Sequence, residues 1–179
     1  MFDLFQAKAQ AVSAEVHRFA GAAEARQFVL ETVVREGVEP EPGKRAVWCA
    51  GPLLGPLDEA RLVREVPGLT FDVTRAAAAQ SRVGVSEFDW AIADTGTLAQ
   101  DATDPRRRLP SMLTETHVAV FPTSALVPDL ATLFGKLDPR QTPYLTFVTG
   151  PSLTADIERV LTIGVHGPQR LVVVAVDGA

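Results

Sequence analysis

The sequence predicts an α/β fold: a three-layer α/β/α sandwich around a mostly parallel sheet, with an N-terminal helical segment. Two observations carry this. Short apolar runs of strand length recur along the chain, and amphipathic or alanine-rich stretches separate them at the spacing of crossover helices. A third supports it: 179 residues with 46% hydrophobic content suffice for a single sizeable core.

Phe2, Phe5, Ala9, Val12, Val16 and Phe19 recur at spacings of three and four, the stripe of an amphipathic helix. Its other face carries Gln6, Lys8, Gln10, Glu15 and Arg18, without the lysine-rich character of a helix lying on lipid. Residues 22–36 continue the helical reading, with Phe28, Val29 and Val33 inward and Gly37 as terminator. Residues 1–37 are therefore expected as helices packed on the body. A Pro/Gly/Glu connector follows, and residues 45–179 form the α/β domain.

Within that domain, residues 46–50, 69–73, 90–93, 117–121, 144–148 and 171–176 read as strands, and residues 97–100 as a short strand pairing back. Residues 58–66, 75–82, 128–134 and 154–161 read as helices, and residues 101–108 as a polar loop. The formal charge of −5 argues against non-specific nucleic-acid binding. No apolar run reaches the roughly 18 residues of a membrane span, and no basic-apolar leader opens the chain, so a cytoplasmic protein is expected.

Cys49 is the lone cysteine and His17, His117 and His166 are widely separated, so no metal site and no cluster bound by this chain are expected. The segment Thr149-Gly150-Pro151-Ser152, followed by Thr154 and Asp156, reads as a strand feeding a capped helix. Its free N–H groups could face an anion, or simply begin a helix. Asp94-Thr95-Gly96-Thr97 closes another apolar run, either as ordinary turn chemistry or as a carboxylate with two hydroxyl donors facing a ligand. His166, just before Gly167, is a candidate acid/base. His117 reads as a core or edge residue and Cys49 as packing. In the run Arg106-Arg107-Arg108, Arg108 is the best anion ligand because it borders the return to ordered structure at Leu109-Pro110. Both turns are expected at the carboxyl edge of the parallel sheet, where α/β folds bind ligands.

The stretch from Asp89 to Thr97, the segment His117-Val118-Ala119-Val120, the turn from Gly150 to Glu158 and Gly164-Val165-His166-Gly167-Pro168 together resemble the lactate-utilisation (LUD) domain family, and within it the C branch. The resemblance implies the glucosamine-phosphate isomerase, ribose-phosphate isomerase and coenzyme A transferase type of fold. It also implies a non-redox component of a bacterial system oxidising L-lactate to pyruvate, working with two iron–sulfur proteins, A and B, that hold the clusters. A small anionic metabolite is the expected ligand. Shared family positions are Thr95, Gly96, Thr97, Gly150, Pro151, Ser152, Thr154, Asp156, His166 and Gly167, while Leu153 stands where arginine is common and Asp94 where glutamate is common. Two other readings stay open: a stand-alone enzyme of the isomerase/transferase type using Asp94 and His166, and a binding module without turnover.

Overall fold

The computed structural model describes residues 1–138, 140–157, 160–163 and 167–178. Helix α1 (Phe2–Ala11) buries Phe5 and Ala9. It stops because Ser13 takes a left-handed φ of 68°. The chain then turns into strand β1 (Glu15–Phe19), so the helix expected to run on to Phe19 ends early. Val16 and Phe19 satisfied the helical spacing by coincidence; the second half of that stripe serves a strand.

Helix α2 (Ala22–Arg35) leads to β2 (Arg45–Cys49). Helix α3 (Glu59–Glu65) is capped by the Asp58 carboxylate, which accepts the Arg61 N–H, and precedes β3 (Leu69–Thr70). Helix α4 (Arg75–Ala79), capped by Thr74, leads to β4 (Ser81–Glu87). Strands β5 (Trp90–Ile92) and β6 (Thr97–Asp101) form the expected back-pairing hairpin. Helix α5 (Pro105–Leu113) replaces the expected polar loop. Its signal was present as Asp104-Pro105, a cap followed by proline at the first helical position.

Strand β7 (Thr116–Pro122), β8 (Leu126–Val127), helix α6 (Leu130–Lys136) and β9 (Leu145–Val148) follow. The helix expected over residues 154–161 is instead a pair of antiparallel strands, β10 (Leu153–Ile157) and β11 (Val160–Ile163). Thr154, Ile157, Val160, Thr162 and Ile163 make this stretch rich in β-branched residues, which suit strands better than helices. Strand β12 (Arg170–Val176) completes the chain.

Six strands form a parallel sheet in the order β1-β12-β7-β4-β2-β3. Its central strands are buried on both faces, which explains their near-continuous Val and Ala runs. On one face α2 and α3 pack Val29, Val33 and Leu62 against Val85, Val120 and Val174. On the other, α1 sets Phe5 and Ala9 against Phe121, Val173 and Ala175, and α4 and α5 bring Ala78 and Leu109 to Val47. That second layer also holds a four-stranded sheet, β8-β5-β6-β9, whose Ala91 and Leu98 join the α1 cluster. The chain leaves β2 toward α3 on the first face and leaves its neighbour β4 toward β5 on the second. Their carboxyl ends thus bound a topological switch point.

Candidate functional site

The turns singled out from sequence do meet. Strands β6 and β9 pair antiparallel, with Leu98 opposite Val148, so Thr97 and Thr149 leave the ladder side by side and their Oγ1 atoms lie 2.7 Å apart. The Ser152 N–H donates to the Pro168 carbonyl at 2.7 Å, drawing Gly167 against the same turn. Thr97, Thr149, Gly150, Ser152 and Gly167 therefore form one cluster. Asp94 and Thr95 stand exposed at the β5–β6 turn, where the Asp94 N–H donates to the Pro128 carbonyl. Thr154 and Asp156 belong to β10, and His166 lies outside the described residues.

This cluster is not at the carboxyl edge of the parallel sheet. It belongs to the four-stranded sheet, and the cleft lined by its Thr149, Gly150, Ser152 and Gly167, about 650 Å³, opens at the amino ends of β7 and β12 between Ser111–Glu115, His117, Thr149–Ser152, Gly167–Gln169 and Leu171. The expected carboxyl-edge placement fails because β6 and β9 are antiparallel strands of a separate sheet. The helix N-terminus expected to hold an anion fails with it, since Ser152 leads into a strand.

Two signature glycines have a packing role. Gly96 (φ 67°) and Gly150 (φ 70°) occupy the left-handed region, and a Cβ would overlap the Ala9 nitrogen at the first and the Val12 carbonyl at the second. They let the turns close onto the end of α1. Arg108 is likewise engaged in the fold: Nη1 donates to the Ala102 carbonyl, and the guanidinium sits 4.4 Å from the Tyr144 ring centre. No Lys or Arg lines the cleft among the described residues; its one charged side chain is Glu115.

At the cleft floor lies a residue the sequence reading had assigned to the core or edge. His117 is fully buried, its Nε2 lies 2.9 Å from Ser86 Oγ, and its Nδ1 has no partner among the described residues. Burial pushes its pKa down to about 3, so the ring is neutral at physiological pH. The only sequence signal was a histidine opening an otherwise apolar strand.

A second cleft, about 610 Å³, opens at the switch point between β2 and β4, lined by Cys49–Leu53, Phe71, Glu87–Trp90, Asp104, Arg106 and Arg107. Glu87, which no sequence motif marked, is buried at its base with Oε2 accepting the Leu53 N–H at 3.1 Å. Desolvation pushes its carboxyl above the usual range, against the opposing pull of the Leu53, Leu54 and Gly51 amides and of Arg107. Arg107 donates to the Asp101 and Glu87 carbonyls and to Asp89. Cys49 borders this cleft, half-buried, and burial pushes its thiol up, away from the reactive thiolate form.

A model of the LUD domain matches residues 2–176. Among curated proteins, the chain is 36% identical over 106 residues to Lactate utilization protein C of an Exiguobacterium species, covering 56% of this chain and 46% of that protein. It is 36% identical over 113 residues to Lactate utilization protein C 1 of Bacillus mycoides, covering 59% and 47%. The match to Lactate utilization protein C of Anoxybacillus flavithermus is 34% over 106 residues, covering 56% and 48%. The chain thus spans about half the length of the curated relatives it matches. A crystal structure of a DUF162 family protein from Deinococcus radiodurans superposes with a TM-score of 0.68, covering 98% of this chain and 95% of that one at 18% identity, and supports the fold.

Proposed function

The chain belongs to the LUD domain family, and on that premise we propose that it is a non-redox component of a bacterial system that oxidises L-lactate to pyruvate, acting beside iron–sulfur proteins. The observation that carries this is the similarity to proteins named Lactate utilization protein C. Removing electrons from a 2-hydroxy acid needs an acceptor, and one cysteine cannot supply the thiolates of a cluster, so the clusters belong to partners A and B.

The surface around the signature cleft suits such a partnership. Met112, Leu113 and Phe147 line its rim with 52%, 37% and 42% of their surface exposed, and Phe134, 54% exposed, lies 6.5 Å from Phe147 between ring centres. Apolar side chains gathered this way favour contact with another protein. Among the described residues the cleft carries no cation, so the lactate carboxylate is expected to find its counter-charge in the assembled complex. Asp94, on the adjoining turn, and His166, directly before Gly167, are the acid–base candidates of this reading.

Co-purification with neighbouring iron–sulfur proteins, followed by L-lactate-dependent dye reduction with and without this chain, tests it. Turnover should fall when the chain is omitted, and Phe134→Ser with Phe147→Ser should weaken co-purification without unfolding the chain. Unchanged turnover on omission, or lactate oxidation by the chain alone, would overturn the proposal.

A further inference from the structure

The switch-point cleft is built as a site that the lactate reading does not use. Glu87 is 7% exposed, and while its Oε2 is held by the Leu53 N–H, its Oε1 is buried with no partner among the described residues. An unpaired buried carboxylate oxygen is costly, of the order of 1–3 kcal/mol, and calls for a partner such as a ligand, an ion or water. The loop that grips Oε2 is made for the purpose: at Gly51 any Cβ would collide with the Glu87 carboxylate. A larger residue there would push the carboxylate out of its cradle.

The lining narrows what fits. Asp104 is paired with Arg106 at 2.6 Å and Asp89 with Arg107 at 2.9 Å, which leaves Glu59 and Glu87 as the carboxylates without a cationic partner in the cleft. An anion is therefore disfavoured. Phe71, Val73, Phe88, Trp90 and Pro122 supply an apolar wall, against which a desolvated ammonium would be expensive. An uncharged ligand that donates hydrogen bonds and presents a flat or ring-shaped face meets both conditions. Vicinal hydroxyls suit a carboxylate at the end of a strand in a doubly wound sheet.

We propose that the crevice at the carboxyl ends of β2 and β4 binds an uncharged ribose-sized ring through hydrogen bonds from its hydroxyls to Glu87, with the ring lying on the aromatic wall. Such a ring can be a free sugar or the ribose of a nucleoside, and the measurement separates them. D-ribose, adenosine and 2′,3′-dideoxyadenosine are titrated into the isotope-labelled full chain. The Leu53 and Trp90 amide signals report this crevice, and the Ser152 and Gly167 signals the other cleft.

Saturable shifts of Leu53 and Trp90 with D-ribose or adenosine are expected, with dideoxyadenosine at least about tenfold weaker, the loss of a hydrogen bond to a charged group. Binding by adenosine alone assigns the nucleoside; binding by both assigns the sugar ring. Glu87→Gln, which trades the free acceptor for an amide donor and removes the charge, should weaken binding by about tenfold while thermal unfolding stays cooperative. No saturable shift at millimolar D-ribose or adenosine would overturn the proposal. So would shifts confined to Ser152 and Gly167, or dideoxyadenosine binding as tightly as adenosine.

Discussion

The parallel sheet is open at both ends, and the two ends hold a buried titratable group in opposite ways. At the amino end His117 sits beneath the signature turns, neutral because burial depresses its pKa, with Nδ1 unpaired among the described residues. At the carboxyl end Glu87 sits beneath the Gly51–Leu54 loop, its carboxyl pushed up by burial, with Oε1 unpaired among the described residues. The first cleft is rimmed by exposed apolar side chains and hydroxyls, the second by carboxylates, arginines and aromatic rings. Desolvation favours the uncharged form at both, but the surroundings fit the first for a protein partner and the second for a small polar molecule.

The strongest test of the contrast is whether the signature turns belong to the fold or to a ligand. In Gly96→Ala the left-handed φ of 67° costs about 1–2 kcal/mol and the added methyl meets the backbone of α1 at Ala9, so a loss of about 3 kcal/mol or more is expected. Denaturant unfolding measures it. A variant as stable as the parent would return the glycine to a ligand-binding role and weaken the packing account.

His117 sharpens the amino-end half through pH. Its folded pKa of about 3 lies below the ordinary 6.5, so as pH falls below 6.5 the unfolded chain takes up a proton that the folded chain refuses, and stability is lost down to about pH 3. At about 1.4 kcal/mol per pH unit, His117→Gln should lose about 2 kcal/mol less than the parent between pH 6.5 and pH 5. Equal slopes would mean that the ring is protonated in the folded state, and the neutral floor of that cleft would be wrong.

Glu87 predicts the opposite sign. Its folded pKa lies above 4.5, so the folded chain holds its proton longer, and stability falls as pH rises through the window between 4.5 and the folded value. Glu87→Gln removes that burden and should stabilise the chain at pH 7 by about 1 kcal/mol, the usual relief at a site kept for function. The gain should shrink as pH falls toward 4.5, because the parent's raised carboxyl takes up its proton in that window. A destabilised variant at pH 7 would show that the carboxylate serves the fold, and the second cleft would lose its main argument.

How far the sequence carried differs between the ends for a physical reason. Apolar runs mark β2, β7 and β12, because burial on both faces writes itself into composition, whereas β1 and β4, which mix polar residues into their strands, carry no such run. The pairing of Thr97 with Thr149 was half legible: both turns stood out, but which sheet holds them depends on the β6–β9 ladder, a long-range contact with no local signature. The helix expected over residues 154–161 gives way to strands because the apolar spacing there fits a helix as well as a hairpin, and β-branching is the better guide. Glu87 left no trace at all. It ends a strand of mixed polar and apolar residues like any solvent-facing acid, and the return of Gly51–Leu53 over it is a long-range contact with no local signature.

Asp94 is the smallest expected effect and decides how far the amino-end site extends. It is exposed at the β5–β6 turn and is held there through its main-chain N–H, which donates to Pro128, so the fold does not depend on the carboxylate. Asp94→Asn keeps the shape and should change stability by less than about 0.5 kcal/mol. Lactate-dependent turnover of the assembled complex is then the informative readout, because a lost acid/base group lowers the rate while a solvated turn residue does not. A fall of about a hundredfold with unchanged unfolding would join the Asp94 turn to the cleft across the Thr97–Thr149 contact. Full turnover would confine the site to the Gly150–Ser152 side, leaving Asp94-Thr95-Gly96-Thr97 as the turn that seats α1.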